Sequence, residues 1–206
     1  MGKGALQDRG RALLGPAVEG LARLGVSPTA VTLFGLFLNI VSGVVIGLGS
    51  PRAGGVLLLV AGACDALDGQ LARRTGRASR FGAFLDSNID RIDESVVLAG
   101  IAAWFLRGVN PWAEWLVVAT LLALGGSLIT SYARARAEGL GLQCKVGIFE
   151  RPERVAVLIA GLLFGEKALA GAVLLVLLLS WVTVLQRIVH VQRVLSAESA
   201  NPPPRT

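Results

Sequence analysis

Residues 65–90 open with Asp65-Ala66-Leu67-Asp68-Gly69-Gln70-Leu71-Ala72-Arg73 and close, after a basic stretch, with Gly82-Ala83-Phe84-Leu85-Asp86-Ser87-Asn88-Ile89-Asp90. The spacing is D-x2-D-G-x2-A-R-x8-G-x3-D-x3-D. Four acids and an arginine here interrupt sequence that is otherwise apolar. An ionisable group taken out of water costs several kcal/mol unless it is paired or bound to metal, so the clustered carboxylates call for a cation. Helix positions three, four and seven apart share a face, which aligns Asp65, Asp68 and Ala72 on one helix and Gly82, Asp86 and Asp90 on the next. Carboxylate oxygens suit hard ions such as Mg2+ or Mn2+. Four acids are more than one such ion usually draws from protein alone, so the expected site holds two divalent cations on Asp65, Asp68, Asp86 and Asp90.

Around this motif the chain is hydrophobic. Of its 206 residues 53% are apolar, mean hydropathy is +0.65, and the apolar positions come in long blocks. A helical span needs roughly 20 apolar residues, leaving room for about six spans and short connections. The pattern predicts an all-α integral membrane protein with six transmembrane helices, over 29–49, 53–74, 81–106, 112–136, 151–164 and 168–194. Leu6, Leu13, Leu14, Val18, Leu21 and Leu24 recur near helical spacing among charges, which predicts an N-terminal interfacial amphipathic helix within residues 1–26. Residues 1–195 are expected to form a single membrane domain. Residues 196–206, with three consecutive prolines, are expected to be a disordered tail.

The net charge of +6 is distributed by connection, not gathered on one soluble face. Lys3, Arg9, Arg11 and Arg23 precede the first span, Arg73, Arg74, Arg77 and Arg80 follow the second, and Arg134, Arg136, Lys145, Arg151 and Arg154 lie between the fourth and fifth. By the positive-inside rule both termini and the acidic motif face the cytoplasm, in the cell membrane. This charge fits topology and attraction to anionic lipid or phosphorylated substrate, and argues against nucleic acid as a partner. Cys64 and Cys144 lack metal-ligand spacing and read as small apolar filler. The first 24 residues lack the continuous apolar core of a cleavable signal peptide. Trp112 and Trp115 are placed as interfacial anchors, with Trp104 and Trp181 in similar positions.

Gly69, Ala72 and Gly82 remove bulk on the acid-bearing faces, and Arg73 adds a cation suited to phosphate oxygens. Together with metal they describe a pyrophosphate site, where catalysis rests on positioning, charge neutralisation and a carboxylate that takes the attacking hydroxyl's proton. All eight fixed positions of the motif resemble those of the CDP-alcohol phosphotransferases (CDP-alcohol phosphatidyltransferases), and the resemblance extends to the six-span layout. It implies an enzyme of phospholipid biosynthesis that moves a phosphatidyl-type group from a CDP-linked lipid, CDP-diacylglycerol, to a polar alcohol, releasing CMP. By position, Asp65, Asp68 and Asp86 are metal ligands and Asp90 is ligand and general base. Gly69, Ala72, Arg73 and Gly82 hold the CDP moiety, and Ser79 is within the same reach. A homodimer in the membrane is also implied.

The segments Ser131-Tyr132-Ala133-Arg134-Ala135-Arg136, Gly147 to Arg154 and Gln186-Arg187 resemble phosphatidylinositol phosphate synthases. That resemblance implies inositol phosphate as acceptor, its phosphate held by Ser131, Arg134, Arg151, Arg154 and Arg187; glycerol 3-phosphate, as in a phosphatidylglycerophosphate synthase, is the alternative. A cation-coupled transporter is the competing class, but its acids belong near mid-span on broken helices. A prenyl-type transferase would need a second aspartate-rich cluster. Asp93 and Glu94 read as solvated or paired with Arg91, and His190 as a cap on the cytoplasmic end of the last span.

Overall fold

The computed structural model describes residues 14–108 and 111–200, with side chains described through 197. Lys3, Arg9, Arg11 and the first part of the expected amphipathic helix lie outside the described residues, as does the prolyl segment 201–206. Seven helices follow in order: α1 over 14–23, α2 Pro28–Gly47, α3 Pro51–Arg74, α4 Arg80–Arg107, α5 Ala113–Gly139, α6 Arg151–Phe164 and α7 Glu166–Ala200. Among the described residues there is no strand.

Local chemistry accounts for the starts. Ser27 caps α2, its side chain accepting from the Ala30 N–H at 3.1 Å, and Pro28 supplies the preset φ of a first helical residue. α6 opens on a reciprocal capping box of Glu150 and Glu153 with Pro152 in the first turn. α7 runs on to Ala200. Residues 196–200, expected in the tail, are therefore helical, because Ser196, Ala197 and Glu198 contain no breaker and the prolines begin only at Pro202.

Four helices are long and apolar enough to cross a membrane: α2, α3, α5 and the Glu166–Ala197 part of α7. α4 is as long but carries Asp86, Asp90, Arg91, Asp93 and Glu94. α6 has 14 residues, about 21 Å of helix against a hydrocarbon core of about 30 Å.

The chain divides into two compact units, Met1–Gly100 and Ile101–Thr206, with α4 running from one into the other. In the first, α2 packs on α3, and Val18 of α1 is buried with Val31, Cys64 and Leu71. Glu19 of α1 pairs with Arg74 at 3.0 Å, tying α1 to the acid-bearing end of α3. Ser42 Oγ donates to the Gly54 carbonyl at 2.8 Å. Gly43 and Gly100 bring α2 and α4 into backbone contact: a Cβ on Gly100 would fall within 2.8 Å of Gly43 Cα, and one on Gly43 within 2.6 Å of the Val96 oxygen. Asp93 and Glu94 are buried, at 7% and 6% exposure, which corrects their reading as solvated. Asp93 shares a helix face with Val96 and Gly100, the residues that meet Gly43, so packing of that face removes it from solvent.

In the second unit α7 packs along α5 and α6. Trp181 donates its indole N–H to the Leu122 carbonyl at 3.1 Å and lies where a Cβ on Gly126 would come within 3.0 Å of its ring. Its N–H is thus engaged by a neighbouring helix. Trp112 and Trp115 are exposed.

Candidate metal and nucleotide site

The acid motif folds as its spacing predicts. The last turns of α3 carry Asp65, Asp68, Gly69, Ala72 and Arg73, and the first turns of α4 carry Gly82, Asp86 and Asp90. One carboxylate oxygen from each of Asp65, Asp68 and Asp86 lies within 4.8 Å of the others. Metal–oxygen bonds of about 2.1 Å place opposite ligands about 4.2 Å apart. Three anionic oxygens at this spacing therefore fit a hard divalent cation after a small inward adjustment. Asp90 stands outside this trio, one turn further along α4, and its Oδ2 lies 3.6 Å from Nη1 of Arg91.

A cavity of about 340 Å³ adjoins the trio and is lined by Asp68, Gly69, Ala72, Arg73, Ser79, Gly82 and Asp86. Every residue expected to hold the CDP moiety is in that lining. Ser79 Oγ accepts from the Gly82 N–H at 2.9 Å, which fixes the start of α4 at the cavity wall. A Cβ on Gly69 would stand 3.6 Å from Nη1 of Arg73, so the guanidinium lies alongside the bare glycine backbone. An anion entering the cavity meets a fixed cation, small residues and a carboxylate-held metal position on one side.

The sequence reading missed the opposite wall. Ser27, Pro28, Thr29 and Thr32 of the α2 entry also line the cavity. Thr32 donates its hydroxyl to Asp68 Oδ2 at 2.6 Å. Asp68 is 6% exposed, and this bond orients its carboxylate within the trio. A run of Thr within an apolar span gives no hint of that partner, 36 residues away; only the packing of α2 on α3 brings the two together.

The residues assigned to the acceptor phosphate all lie in the second unit. Arg154 is buried at 1% exposure and reaches the Phe149 carbonyl at 3.3 Å. Arg187, at 3%, donates Nε to Val146 O at 3.0 Å and Nη1 to Thr130 O at 2.5 Å. Arg134 pairs with Glu138 at 2.9 Å, and Ser131 and Arg151 are half-buried. His190, expected as a helix-end cap, instead places Nε2 3.1 Å from the Gln143 carbonyl, well inside α7. The reason is the extra length of α7, which puts the helix end beyond it.

Residues 25–197 match the family described as CDP-alcohol phosphatidyltransferase. The chain belongs to this family. As a CDP-alcohol phosphatidyltransferase it is a transferase of phospholipid synthesis. It is 39% identical over 174 residues to the archaetidylinositol phosphate synthase of Pyrococcus horikoshii, covering 84% of this chain and 87% of that one. It is 37% identical over 179 residues to the phosphatidylinositol phosphate synthase of Mycobacteroides abscessus, covering 84% and 80%. The crystal structure of Mycobacterium tuberculosis phosphatidylinositol phosphate synthase with CDP-DAG bound superposes with a TM-score of 0.79 at 33% identity, over 85% of this chain and 92% of that one. The same enzyme in complex with manganese and citrate gives 0.79 at 34% identity, over 86% and 88%.

The Thr32 bond has a measurable consequence for this phosphatidyltransferase. A hydrogen bond to a charged group contributes about 1.5 to 3 kcal/mol. Thr32→Val is expected to weaken Mn2+ binding by roughly tenfold, as read by the free-ion electron paramagnetic resonance signal, while Thr32→Ser retains it. Equal affinity in the Val variant would remove Thr32 from the site.

Proposed function

We propose that this phosphatidyltransferase moves a phosphatidyl-type group from a CDP-linked lipid, CDP-diacylglycerol, to the hydroxyl of inositol phosphate and releases CMP. The observation that carries this reading is the trio Asp65, Asp68 and Asp86, donated by two helices beside a cavity lined by Gly69, Ala72, Arg73 and Gly82. Two divalent cations, Mg2+ or Mn2+, on Asp65, Asp68, Asp86 and Asp90 would supply charge neutralisation at the diphosphate. Gly69, Ala72, Ser79 and Gly82 admit the nucleotide diphosphate against backbone, and Arg73 pairs with its oxygens. Asp90 takes the proton from the acceptor hydroxyl. The acceptor oxygen then bonds to the lipid-bearing phosphorus, and the bond from that phosphorus to the CMP oxygen breaks.

Ser131, Arg134, Arg151, Arg154 and Arg187 are assigned to the acceptor's phosphate. Two of these arginines are buried, and a buried guanidinium suits a bidentate anion more than a solvated surface role. The likeness to two inositol phosphate lipid synthases supports the same acceptor. We place residues 1–195 in one domain of the cell membrane, as a homodimer with six spans. α1 then lies at the cytoplasmic interface, and the acids and both termini face the cytoplasm. The basic residues at the end of α3 and in the connections that follow it and precede α6 support that orientation.

The test offers purified enzyme, CDP-diacylglycerol and Mg2+ or Mn2+ with inositol phosphate, glycerol 3-phosphate, serine or free inositol in separate reactions. CMP release and a new lipid are expected with inositol phosphate. A lipid product from glycerol 3-phosphate alone would overturn the acceptor assignment, and cation efflux from vesicles without CMP release would replace the enzyme by a transporter.

A further inference from the structure

Leu140, Gly141 and Leu142 return their N–H groups to α5 carbonyls, and residues 143–149 then run on to α6 with neither helix nor strand to satisfy their backbone. Such a segment is held only if side chains take over its polar groups. Three residues of α7, spread over little more than one turn, do this. Gln186 Oε1 accepts from the Ile148 N–H at 3.2 Å, Arg187 Nε donates to Val146 O at 3.0 Å, and His190 Nε2 lies 3.1 Å from Gln143 O. Facing a carbonyl, Nε2 of His190 carries the proton.

The segment also lies hard against that helix. Gly147 has φ +136°, outside the range L side chains adopt, and a Cβ there would stand 2.6 Å from Thr183 Cγ2. Cys144 and Phe149 are buried at 0% and 5% exposure, anchoring the strand of chain from its other side. Beyond Phe149 the backbone passes directly into the capping box of α6 and its first turn, which carries Arg151 and Arg154. The conformation of residues 143–148 therefore fixes where those two arginines begin.

We infer that Gln186 and His190 are positioning residues for acceptor recognition, acting as a clasp that holds residues 143–148 against α7. The clasp sets Arg151 and Arg154 relative to Arg187, whose Nε is bound to the Val146 carbonyl within the clasp and whose Nη1 is bound to the Thr130 carbonyl of α5. This rests on the assignment of those arginines to the acceptor's phosphate. Neither Gln186 nor His190 touches substrate in this role. Their loss weakens the fit of the phosphorylated alcohol while the CDP-binding residues of the first unit keep their own supports.

The experiment compares Gln186→Leu, His190→Leu and the double variant with wild type, using whichever alcohol the wild-type enzyme accepts. A neutral hydrogen bond contributes about 1 kcal/mol, so each Leu variant is expected to raise KM for the alcohol about fivefold, and the double variant more than roughly tenfold. The kcat at saturating alcohol and the KM for CDP-diacylglycerol should stay within about twofold of wild type by the same reasoning. Gln186→Glu keeps the acceptor oxygen and His190→Gln keeps an N–H donor, so both should restore the wild-type KM. A purely stabilising role would lower thermal stability without that split.

Tryptic cleavage after the exposed Lys145 reads the clasp independently of turnover. Faster cleavage is expected in the Leu variants and not in the conservative ones. Faster cleavage with unchanged alcohol KM would overturn the positioning role, and unchanged cleavage would overturn the clasp itself. A wild-type enzyme that releases no CMP with any alcohol would defeat the functional reading, while the cleavage comparison would still decide the clasp.

Discussion

Asp90→Asn is expected to lower CMP release by about three orders of magnitude while leaving CMP and CDP binding near wild type. General-base catalysis contributes about 10²- to 10⁴-fold, and an amide of the same shape cannot take the hydroxyl proton. Asp90 lies one turn beyond Asp86, outside the group formed by Asp65, Asp68 and Asp86 and outside the lining of the nucleotide cavity. Its loss therefore leaves the carboxylate trio and the wall of that cavity in place. Asp68→Asn should behave differently, because Asp68 belongs to both the trio and the cavity lining; there Mn2+ affinity and nucleotide affinity fall together. Isothermal titration with CMP in the presence of Mn2+, alongside single-turnover assays, separates the two outcomes. Full turnover in Asp90→Asn would remove the base assignment.

The part of this site legible in sequence is the part held within single helices. Asp65 and Asp68 are three apart, Asp86 and Asp90 four apart, and helical periodicity alone puts each pair on one face. The span expected over 151–164 has the bounds of α6, because Pro152 sits where a first helical turn tolerates proline. Contacts to these helices from elsewhere in the chain were silent. Thr32 reads as one more polar residue in an apolar span until α2 packs on α3 and its hydroxyl meets Asp68. His190 looks like a helix-end cap until the 140–150 segment folds back onto α7 and meets it.

Six spans were expected, and among the described residues four helices are long and apolar enough to cross a membrane. α4 is 28 residues long, yet its charges keep it from qualifying on composition. Among those charges is Asp86, which joins Asp65 and Asp68 of α3 in the carboxylate trio. The solvated reading of Asp93 failed for a related reason. Exposure depends on which neighbour a face meets, and that face meets Gly43, a glycine whose significance is its missing side chain.

That glycine contact carries the second large effect. Gly100→Ala is expected to destabilise the protein by about 3 kcal/mol, where the same change at Gly125 stabilises it by up to about 1 kcal/mol. Both glycines are inside helices, so both substitutions gain the intrinsic helix preference of alanine. They differ in what the new methyl meets. At Gly125 nothing lies within 4 Å, whereas at Gly100 the methyl would run into the oxygen and the Cα of Gly43. No rotamer change relieves a clash with backbone, so α2 and α4 must separate, and close glycine contacts are what hold helices together where apolar burial gives little drive. The displacement reaches the chemistry through rigid elements. Asp86 is on α4, while Asp65 and Asp68 are on α3, which packs on α2. Moving α4 from α2 widens the three-carboxylate group, so Gly100→Ala should also weaken Mn2+ binding by roughly tenfold, and Gly43→Ala, which meets the Val96 oxygen, should do the same. Thermal unfolding and Mn2+ titration of the three variants test both halves. A Gly100→Ala protein as stable as Gly125→Ala would show that the helices part without cost, and one that is destabilised yet binds Mn2+ normally would uncouple the glycine contact from the metal site.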